Sequence, residues 1–301
     1  MNLNEEIKKL KEKKEVAILA HYYVEGAVQD IADYVGDSYY LSKMATEVPQ
    51  KNILFCGVKF MGESAKILNP EKHVIMVDEQ ADCPMAHMID AKTIDNIRAK
   101  YDDIAVVCYI NSSAEIKAHS DVCVTSSNAF KIVSKLPQKN ILFIPDNHLG
   151  TYLSTKMPNK HFVFHHGYCP VHQDIRMEDV KRAKQAHPEA EVLAHPECSI
   201  DVLSLAHYIG STSEIIDYAT KSGGESFIIA TEDGVLHKLR SENANKKFYL
   251  VNEKQQCLGM KMNTLEKVYD VLNSMENEML LNEELRQKAQ APLTKMHELA
   301  E

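Results

Sequence analysis

Short apolar runs alternate with amphipathic stretches along most of the chain. The runs are brief, rich in β-branched residues and bounded by polar residues, which is typical of buried parallel strands. Three of them occupy residues 16–20, 106–108 and 192–194. After the first run, Val28, Ile31, Ala32 and Val35 recur at the helical spacing i, i+3, i+4 and i+7. The pattern predicts an α/β protein.

The chain also contains internal repeats. The seven residues Pro-Gln-Lys-Asn-Ile-Leu-Phe occur at 49–55 and again 88 positions later, at 137–143. Two chance copies of such an apolar stretch are not expected in 301 residues. A third copy keeps the spacing but not the letters, so that similar apolar strands start at Ile53, Ile141 and Phe227. About thirty residues after each of these strands comes a cysteine, namely Cys83, Cys169 and Cys257.

The repeats predict three α/β units rather than two ordinary domains. The predicted units are residues 1–86 together with 263–301, residues 87–172 and residues 173–262. Strand–helix alternation implies parallel sheets with right-handed crossovers. Because three similar units can close a ring, we predict a pseudo-threefold axis with the active site at its centre. Three units in a line are the alternative.

Helices are predicted at both ends of the chain and inside the first unit. Residues 3–14 and 61–68 fit helices, and residues 263–301 fit none of the repeats. In that last segment Leu265, Val268 and Leu272 share one face, which we expect to pack on the first unit.

Composition and charge narrow the classes of function. The chain is 45% hydrophobic and 26% charged, as expected for a globular protein with a core. Its net charge of −9 argues against nucleic acid and anionic membranes as partners. The sequence has neither an apolar run long enough to span a membrane nor a signal-peptide core. Seven cysteines in such a chain favour a reducing compartment, so a cytoplasmic location is expected.

Matched polar residues follow the strands in each unit. Ligands of parallel sheets bind at the carboxyl ends of strands, which is where these residues fall. The three sets are His21, Tyr109 and His195; Tyr23, Asn111 and Glu197; and Ser38, Ser126 and Thr212. The hydroxyl set precedes a helix in each unit, which fits N-cap residues and also fits groups that bind anions at helix N-termini.

The three repeat-related cysteines form a candidate metal site. Soft thiolates select zinc, copper(I) or iron–sulfur clusters. Structural zinc requires four ligands, usually from paired Cys-x-x-Cys elements that this chain lacks. Three thiolates suit a [4Fe–4S] cluster with one iron free of protein ligands, which can act as a Lewis acid. The remaining cysteines share no repeat position and are expected to be structural: Cys56, Cys108, Cys123 and Cys198.

Several motifs resemble the quinolinate synthase family, and they extend over essentially the whole chain. They include Ala-His21-Tyr-Tyr23, Gly36-Asp-Ser38, Ala-Asp-Cys83-Pro-Met, Tyr109-Ile-Asn111-Ser, Gly-Tyr-Cys169-Pro-Val-His172, His195-Pro-Glu197-Cys and Gly210-Ser-Thr212. The resemblance implies a triplicated α/β fold around a pseudo-threefold axis. It also implies a transferase of NAD (pyridine nucleotide) biosynthesis that condenses iminoaspartate with dihydroxyacetone phosphate to give quinolinate, phosphate and two waters.

The resemblance further implies which residues do the work. The ligands of the [4Fe–4S] cluster would be Cys83, Cys169 and Cys257. Substrate would contact His21, Ser38, Tyr109, Asn111, Ser126, His195, Glu197, Ser211 and Thr212. Catalysis would involve Glu197 as general acid and base, together with His195, His21, Tyr23 and Tyr109. A functional link to an L-aspartate oxidase is also implied.

Two other classes of function remain open at the level of sequence. A zinc-dependent aldolase or lyase could use the same polar residues, and an iron–sulfur sensor or binding module could use the same cysteines. The sequence shows no basic DNA-binding element that would favour the sensor. Glu214, two residues after Thr212, adds a negative charge at a helix start and is expected to weaken anion binding there.

Overall fold

The computed structural model describes residues 2–301 and contains three parallel four-stranded sheets. The first sheet consists of β1 (Val16–His21), β2 (Tyr34–Gly36), β3 (Asn52–Cys56) and β4 (His73–Met76). The second consists of β5 (Ile104–Tyr109), β6 (Val122–Val124), β7 (Asn140–Ile144) and β8 (His161–Phe164). The third consists of β9 (Glu191–Ala194), β10 (Tyr208–Ile209), β11 (Ser226–Ala230) and β12 (Lys247–Leu250).

All three sheets have the same strand order. Each places its second strand at one edge, followed by the first, third and fourth, as in β2-β1-β3-β4. The register is repeated as well, since Ala17 pairs with Ile53 in the first sheet and Ala105 pairs with Ile141 in the second. The predicted α/β fold with three parallel-sheet units is confirmed.

The apolar runs form strands because both faces of each sheet are covered. All six residues of β1 and all six of β5 are buried, which explains why these strands are continuously apolar. One continuous apolar core joins the first two units, while the third unit has two apolar clusters of its own.

The helices connect the strands and cover the faces of the sheets. In the first unit they are α1 (Leu3–Lys13), α2 (Gly26–Ile31), α3 (Ser38–Glu47), α4 (Lys59–Leu68) and a 3₁₀ helix (Pro84–His87). The next ones are α5 (Ala91–Arg98), α6 (Ala114–Ala118), α7 (Ala129–Lys135), α8 (Asn147–Lys156), α9 (Pro170–Gln173) and α10 (Met177–Ala186). The rest are α11 (Ile200–Leu203), α12 (Thr212–Lys221), α13 (Val235–Glu242), α14 (Leu258–Lys261), α15 (Leu265–Ser274) and α16 (Glu283–Ala300).

The predicted helical face after β1 is wrong at its second half. Helix α2 ends at Ile31, and Ala32 has an extended backbone with ψ of 149°. Val35 lies in β2, where it pairs with Ala20 of β1. The strand pairing therefore overrides the helical spacing of the apolar side chains at this point.

The terminal helices differ from the expectation in one respect. Helix α15 packs on α1 and α2, within the first unit as predicted. Helix α16 instead contacts α4 of the first unit together with α6, β6 and α7 of the second, and it buries Ala289, Leu293 and Met296. Its apolar face therefore joins two units rather than covering one.

Within residues 2–301, none of the helices is both long enough and apolar enough to cross a bilayer.

Candidate active site

One cavity lies where the carboxyl ends of strands from all three sheets meet. His21 ends β1, Tyr109 ends β5, and His195 directly follows β9. The cavity brings together nearly all of the predicted site residues: His21, Tyr23, Ser38, Cys83, Tyr109, Asn111, Ser126, Cys169, His195, Glu197, Thr212 and Cys257. Of the predicted residues, Ser211 is the one that does not line it.

The three cysteines at this cavity occupy the same structural position. Cys83 directly precedes the 3₁₀ helix, Cys169 precedes α9, and Cys257 precedes α14. Burial raises the pKa of the Cys83 thiol to about 12, and burial also raises those of Cys169 and Cys257. The backbone N–H groups of the following turn act in the opposite direction at all three. These thiols are therefore neutral until a cation displaces their protons.

The other four cysteines lie elsewhere. Cys56 ends β3, Cys108 and Cys123 are register partners in β5 and β6, and Cys198 packs in a core cluster of the third unit. All four are free and fully buried, and none of them lines the cavity. Their surroundings are those of small apolar core residues.

Glu197 lies between two histidines at the cavity wall. Its Oε2 atom is 2.9 Å from His172 Nδ1 and 3.2 Å from His195 Nδ1, and all three side chains are nearly fully buried. Burial alone would raise the pKa of Glu197, but His172 and His195 outweigh it and hold the pKa well below its usual range. Its other oxygen, Oε1, has no hydrogen-bond partner within residues 2–301. The geometry thus presents a buried carboxylate with one free oxygen.

A hydrogen-bond chain extends from His172 to Tyr23. His172 Nε2 lies 2.9 Å from Thr231 Oγ1, which lies 2.8 Å from the Tyr23 hydroxyl. The same hydroxyl is 2.8 Å from Thr212 Oγ1. Burial raises the pKa of Tyr23 well above its usual value, and Glu197 acts in the same direction, so that the phenol keeps its proton. Hydrogen bonds therefore connect His172 to Tyr23, and His172 Nδ1 lies next to the Glu197 carboxylate at 2.9 Å.

His21 and His195 are each held by the backbone N–H group of the residue two positions later. The backbone N–H of Tyr23 lies 3.1 Å from His21 Nδ1, and that of Glu197 lies 3.3 Å from His195 Nδ1. Since each N–H donates to Nδ1, a neutral imidazole held like this carries its proton on Nε2. Burial lowers the pKa of His21 to about 3, with His195 as the next cause, so its ring is neutral at pH 7.

Tyr109 and Asn111 occupy the equivalent positions in the second unit. Burial, followed by the charge of Glu197, raises the pKa of Tyr109 well above its usual value, so the phenol remains a donor. The amide oxygen of Asn111 is buried and has no hydrogen-bond partner among residues 2–301. Both side chains are therefore available to a polar ligand.

The hydroxyl set does not cap helices, which corrects the N-cap interpretation. Ser38 and Thr212 are the first residues of α3 and α12, whose caps are Asp37 and Ser211. Ser126 stands before Asn128, the residue at the cap position of α7. Of the two interpretations of this hydroxyl set, capping is therefore wrong, and all three hydroxyl residues line the cavity, while Ser211, predicted to contact substrate, caps α12.

Glu214 completes the cap of α12. Its Oε2 accepts a hydrogen bond of 2.7 Å from the Ser211 backbone N–H, and Ser211 Oγ accepts one of 3.4 Å from the Glu214 N–H. This reciprocal pair is a capping box. The Glu214 carboxylate therefore caps the first turn of its own helix.

Sequence comparison agrees with this geometry. A family model described as "Quinolinate synthetase A protein" matches residues 5–298. Proteins named quinolinate synthase are similar over 99% or more of this chain and 99% of their own length. They include those of Fusobacterium nucleatum (56% identical), Clostridioides difficile (48%) and Clostridium perfringens (49%). The chain belongs to the quinolinate synthetase A family. The predicted resemblance is confirmed.

No role follows from the sequence for two residues of the hydrogen-bond chain, His172 at the cavity wall and the buried Thr231. His172 was quoted only within a motif, and Thr231 had no equivalent in the polar sets. The repeat spacing carries a signal for two other residues of the cavity, Val58 and Glu232, which with Asp146 stand just after the third strand of each unit. Glu232 lines the cavity and accepts a 3.0 Å hydrogen bond from the Cys257 backbone N–H.

A second group of ligand atoms in this family member also suits a single metal ion. Ligand-type atoms of Cys169, His172 and Glu197 lie within 4.8 Å of one another. Across residues 2–301, this is the one group of three or more such side chains that close together. Ligand atoms at this spacing can bind one metal ion together.

Proposed function

We propose that this chain is a quinolinate synthase that condenses iminoaspartate with dihydroxyacetone phosphate to give quinolinate, phosphate and two waters. Full-length similarity to proteins of that name supports the activity. The observation that carries the proposal is the cavity, because three thiols and three sets of polar groups from three units line it together. A triplicated chain whose units each supply a third of the site suits a reaction with two substrates and several proton transfers.

The proposed cofactor is a [4Fe–4S] cluster held by Cys83, Cys169 and Cys257. The donor set fits, since three thiols at equivalent helix starts meet at one cavity and no fourth cysteine of residues 2–301 lines it. When bound, such a cluster supplies a Lewis acid through the iron that has no protein ligand.

Glu197 is the proposed proton carrier. Its Oε1 atom is buried, has no hydrogen-bond partner within residues 2–301 and is free to take a proton from substrate. His172 Nδ1, 2.9 Å from the other oxygen, orients the carboxylate, and the Glu197 backbone N–H fixes the His195 ring beside it. The removal of two waters requires repeated proton transfer, which a buried carboxylate in a hydrogen-bond chain can perform.

Tyr23 and Tyr109 are the proposed donors to oxygen atoms that gain negative charge. Both phenols keep their protons because burial raises their pKa values. A fixed donor in a site that excludes water stabilises such charge without having to reorient. Tyr23 can also exchange its proton with Thr231, at 2.8 Å, and hence with His172.

The remaining polar groups are proposed to hold the substrate carboxylates and the phosphate. They are His21, Ser38, Asn111, Ser126, His195 and Thr212. The first helical residues of α3 and α12, Ser38 and Thr212, sit where N–H groups point outward and favour anions. Ser211 is removed from this proposed set, since its hydroxyl accepts from Glu214 N and it does not line the cavity.

We further propose the setting in which this activity works. The three units would be related by a pseudo-threefold axis, with boundaries at residues 1–86 plus 263–301, 87–172 and 173–262. An L-aspartate oxidase would supply iminoaspartate, since that imine is the product of oxidising aspartate. The seven free cysteines fit a reducing cytoplasm.

The test combines metal analysis with a direct assay. Protein reconstituted anaerobically with iron and sulfide should contain about four irons and four sulfides per chain, and it should form quinolinate from iminoaspartate and dihydroxyacetone phosphate. A colourless protein that binds one zinc through Cys169, His172 and Glu197 would support a zinc-dependent lyase instead. A loaded cluster without quinolinate formation would leave the sensor as the better assignment.

A further inference from the structure

Lys261 connects the cysteine side of the cavity to the segment that carries Tyr23. Its Nζ atom lies 2.8 Å from Glu232 Oε1 and 2.7 Å from Asp233 Oδ1. It also donates a 2.8 Å hydrogen bond to the backbone carbonyl oxygen of Tyr23. These three oxygens match the three N–H donors of a lysine ammonium. The lysine is thereby fully engaged, with 20% of its side chain exposed.

The first connection runs to Cys257. Lys261 is the last residue of α14, the single helical turn that follows Cys257, and its backbone N–H donates to the Cys257 carbonyl at 3.0 Å. Glu232 Oε1 accepts from the Cys257 N–H at 3.0 Å and is also the partner of Lys261 Nζ. One wholly buried carboxylate therefore fixes both the proposed ligand and the lysine.

The second connection runs to the loop after β1. Gln29 Nε2 donates to the carbonyls of Tyr22 and Val24, at 2.9 and 3.0 Å. The Tyr23 carbonyl between them is bound by Lys261 instead. The side chain of Tyr23 points at the hydroxyls of the cavity, as described above. The position of this phenol thus depends on a cation from another unit.

The internal repeats show that this connection is specific to one unit. The residue four positions after each cysteine is His87 after Cys83, Gln173 after Cys169 and Lys261 after Cys257. His87 is bonded to Asp82, just before its own cysteine, and Gln173 is bonded to the His148 side chain of α8. Among these three equivalent residues, Lys261 alone reaches the backbone of a substrate-side segment in a different unit.

We propose that Lys261 is a positioning residue that couples the Cys257 ligand site to the placement of Tyr23. This inference rests on the proposed function for the roles of those two residues. When Cys257 is ligated, α14 is held and Lys261 fixes the Tyr23 carbonyl. When it is not, the turn relaxes and the tyrosine segment loosens, so that the substrate pocket is completed only in loaded protein.

Hydrogen exchange tests the coupling without any assay of activity. Lys261→Met removes the three contacts and retains most of the side-chain volume. Lys267→Met is the matched control, because Lys267 on α15 pairs with Asp78 away from the cavity. At equal iron and sulfide content, peptides covering residues 21–25 should exchange about ten-fold faster in Lys261→Met than in wild type or Lys267→Met. Cluster-free wild type should show the same acceleration.

Unchanged exchange over residues 21–25 in cluster-loaded Lys261→Met would overturn the proposal. If that variant does not load a cluster, Lys261→Gln replaces it, since the shorter amide keeps a donor for Glu232 but does not reach all three oxygens. The same faster exchange is expected, and unchanged exchange again counts against the coupling.

A double-mutant cycle gives the second test. Lys261→Met should lower kcat about ten-fold or more with a small change in KM, because it misplaces Tyr23 rather than removing a substrate contact. Combined with Tyr23→Phe, it should add little to the loss caused by Tyr23→Phe alone. Multiplicative losses would show that Lys261 acts independently of Tyr23. If no form of the protein makes quinolinate, the proposed function fails, while the exchange experiment still decides the coupling.

Discussion

The first and second units contain the same seven residues, at 49–55 and 137–143, and differ directly after them. The last four residues of each copy begin a strand, β3 in the first unit and β7 in the second. The last four residues of each strand are buried. The equivalent positions just beyond are Val58 and Asp146. Val58 precedes α4 without a side-chain bond to it, whereas Asp146 Oδ1 accepts a 2.7 Å hydrogen bond from Leu149 N at the start of α8.

This contrast separates the parts of a unit that build the fold from the parts that build the site. Strands β3 and β7 meet the same packing demands, so identical residues serve both. At the strand ends the units differ, since Val58 lines the cavity whereas Asp146 caps α8. Asp146 is wholly buried, and burial raises its pKa well above its usual value. Burying a carboxyl group costs free energy of folding, and the packing of a strand alone would not require it.

The largest effect is expected when cysteines that line the cavity are compared with cysteines that pack in the core. Single replacement of Cys83, Cys169 or Cys257 by serine should abolish or cripple cluster assembly, because a site with three thiolates has no spare ligand. Replacement of Cys56, Cys108 or Cys123 should leave the iron content near normal with a packing penalty only. Cys198 should behave like this second group. Anaerobic iron and sulfide analysis measures the outcome, and a normal cluster in the Cys169 variant would refute the ligand assignment.

The next effect concerns the carboxylate at the end of β9. Glu197→Gln keeps the shape of the side chain but removes its ability to take a proton, so kcat for quinolinate formation should fall by at least about 10²-fold. Cluster content should be unchanged. The control is Glu191→Gln at the other end of the same strand, outside the cavity. If Glu197→Gln retained most of its turnover, another residue would have to carry the protons.

A smaller effect is expected at the three hydroxyls. Ser38→Ala, Ser126→Ala and Thr212→Ala should each weaken apparent substrate affinity by up to about ten-fold, which corresponds to one lost hydrogen bond. Since Ser38 does not cap its helix, Ser38→Ala should change the free energy of unfolding by less than about 0.5 kcal/mol. Ser126→Ala and Thr212→Ala should cost about 1 kcal/mol each, because they also lose hydrogen bonds to His195 and Tyr23. Ser211→Ala, which removes a true cap, should show the reverse pattern. Equal losses of stability in all four variants would restore the capping interpretation.

The smallest effect is a pH dependence of stability that arises from His21. The equivalent residue of the second unit is Tyr109. The pKa of His21, about 3 in the folded state, lies below the unfolded value of about 6.5, so folding is favoured above pH 6.5 and loses stability as pH falls toward 3. Between pH 7 and 5.5 this amounts to about 1 kcal/mol. In urea unfolding, the free energy of unfolding of His21→Asn should fall less between pH 7 and 5.5 than that of wild type or of the surface variant His161→Asn. The expected difference is the amount just given. An equal decline in all three proteins would place the responsible group elsewhere.

Much of this architecture could be predicted from sequence because it is repeated. Three similar strands, each followed by a cysteine 28 or 30 residues after the strand starts, reveal both the units and the residues that meet at the cavity. Contacts between units leave no such trace. The pairing of His172 with Glu197, of Thr231 with Tyr23, and of Lys261 with the Tyr23 carbonyl each joins residues of different units. The end of α2 was misplaced for a related reason, since the pairing of Val35 with Ala20 is decided by a neighbouring strand.

The shared strand order of the three sheets has a consequence for how such a protein could arise. One unit brings a single cavity cysteine and one member of each polar set, which is too little to hold a cluster or surround a substrate. A one-unit ancestor could therefore have had a site only where three copies met. Fusion of the copies into one chain then freed each strand end to change separately, so that a valine, an aspartate and a glutamate now stand at a position that identical subunits would have had to share.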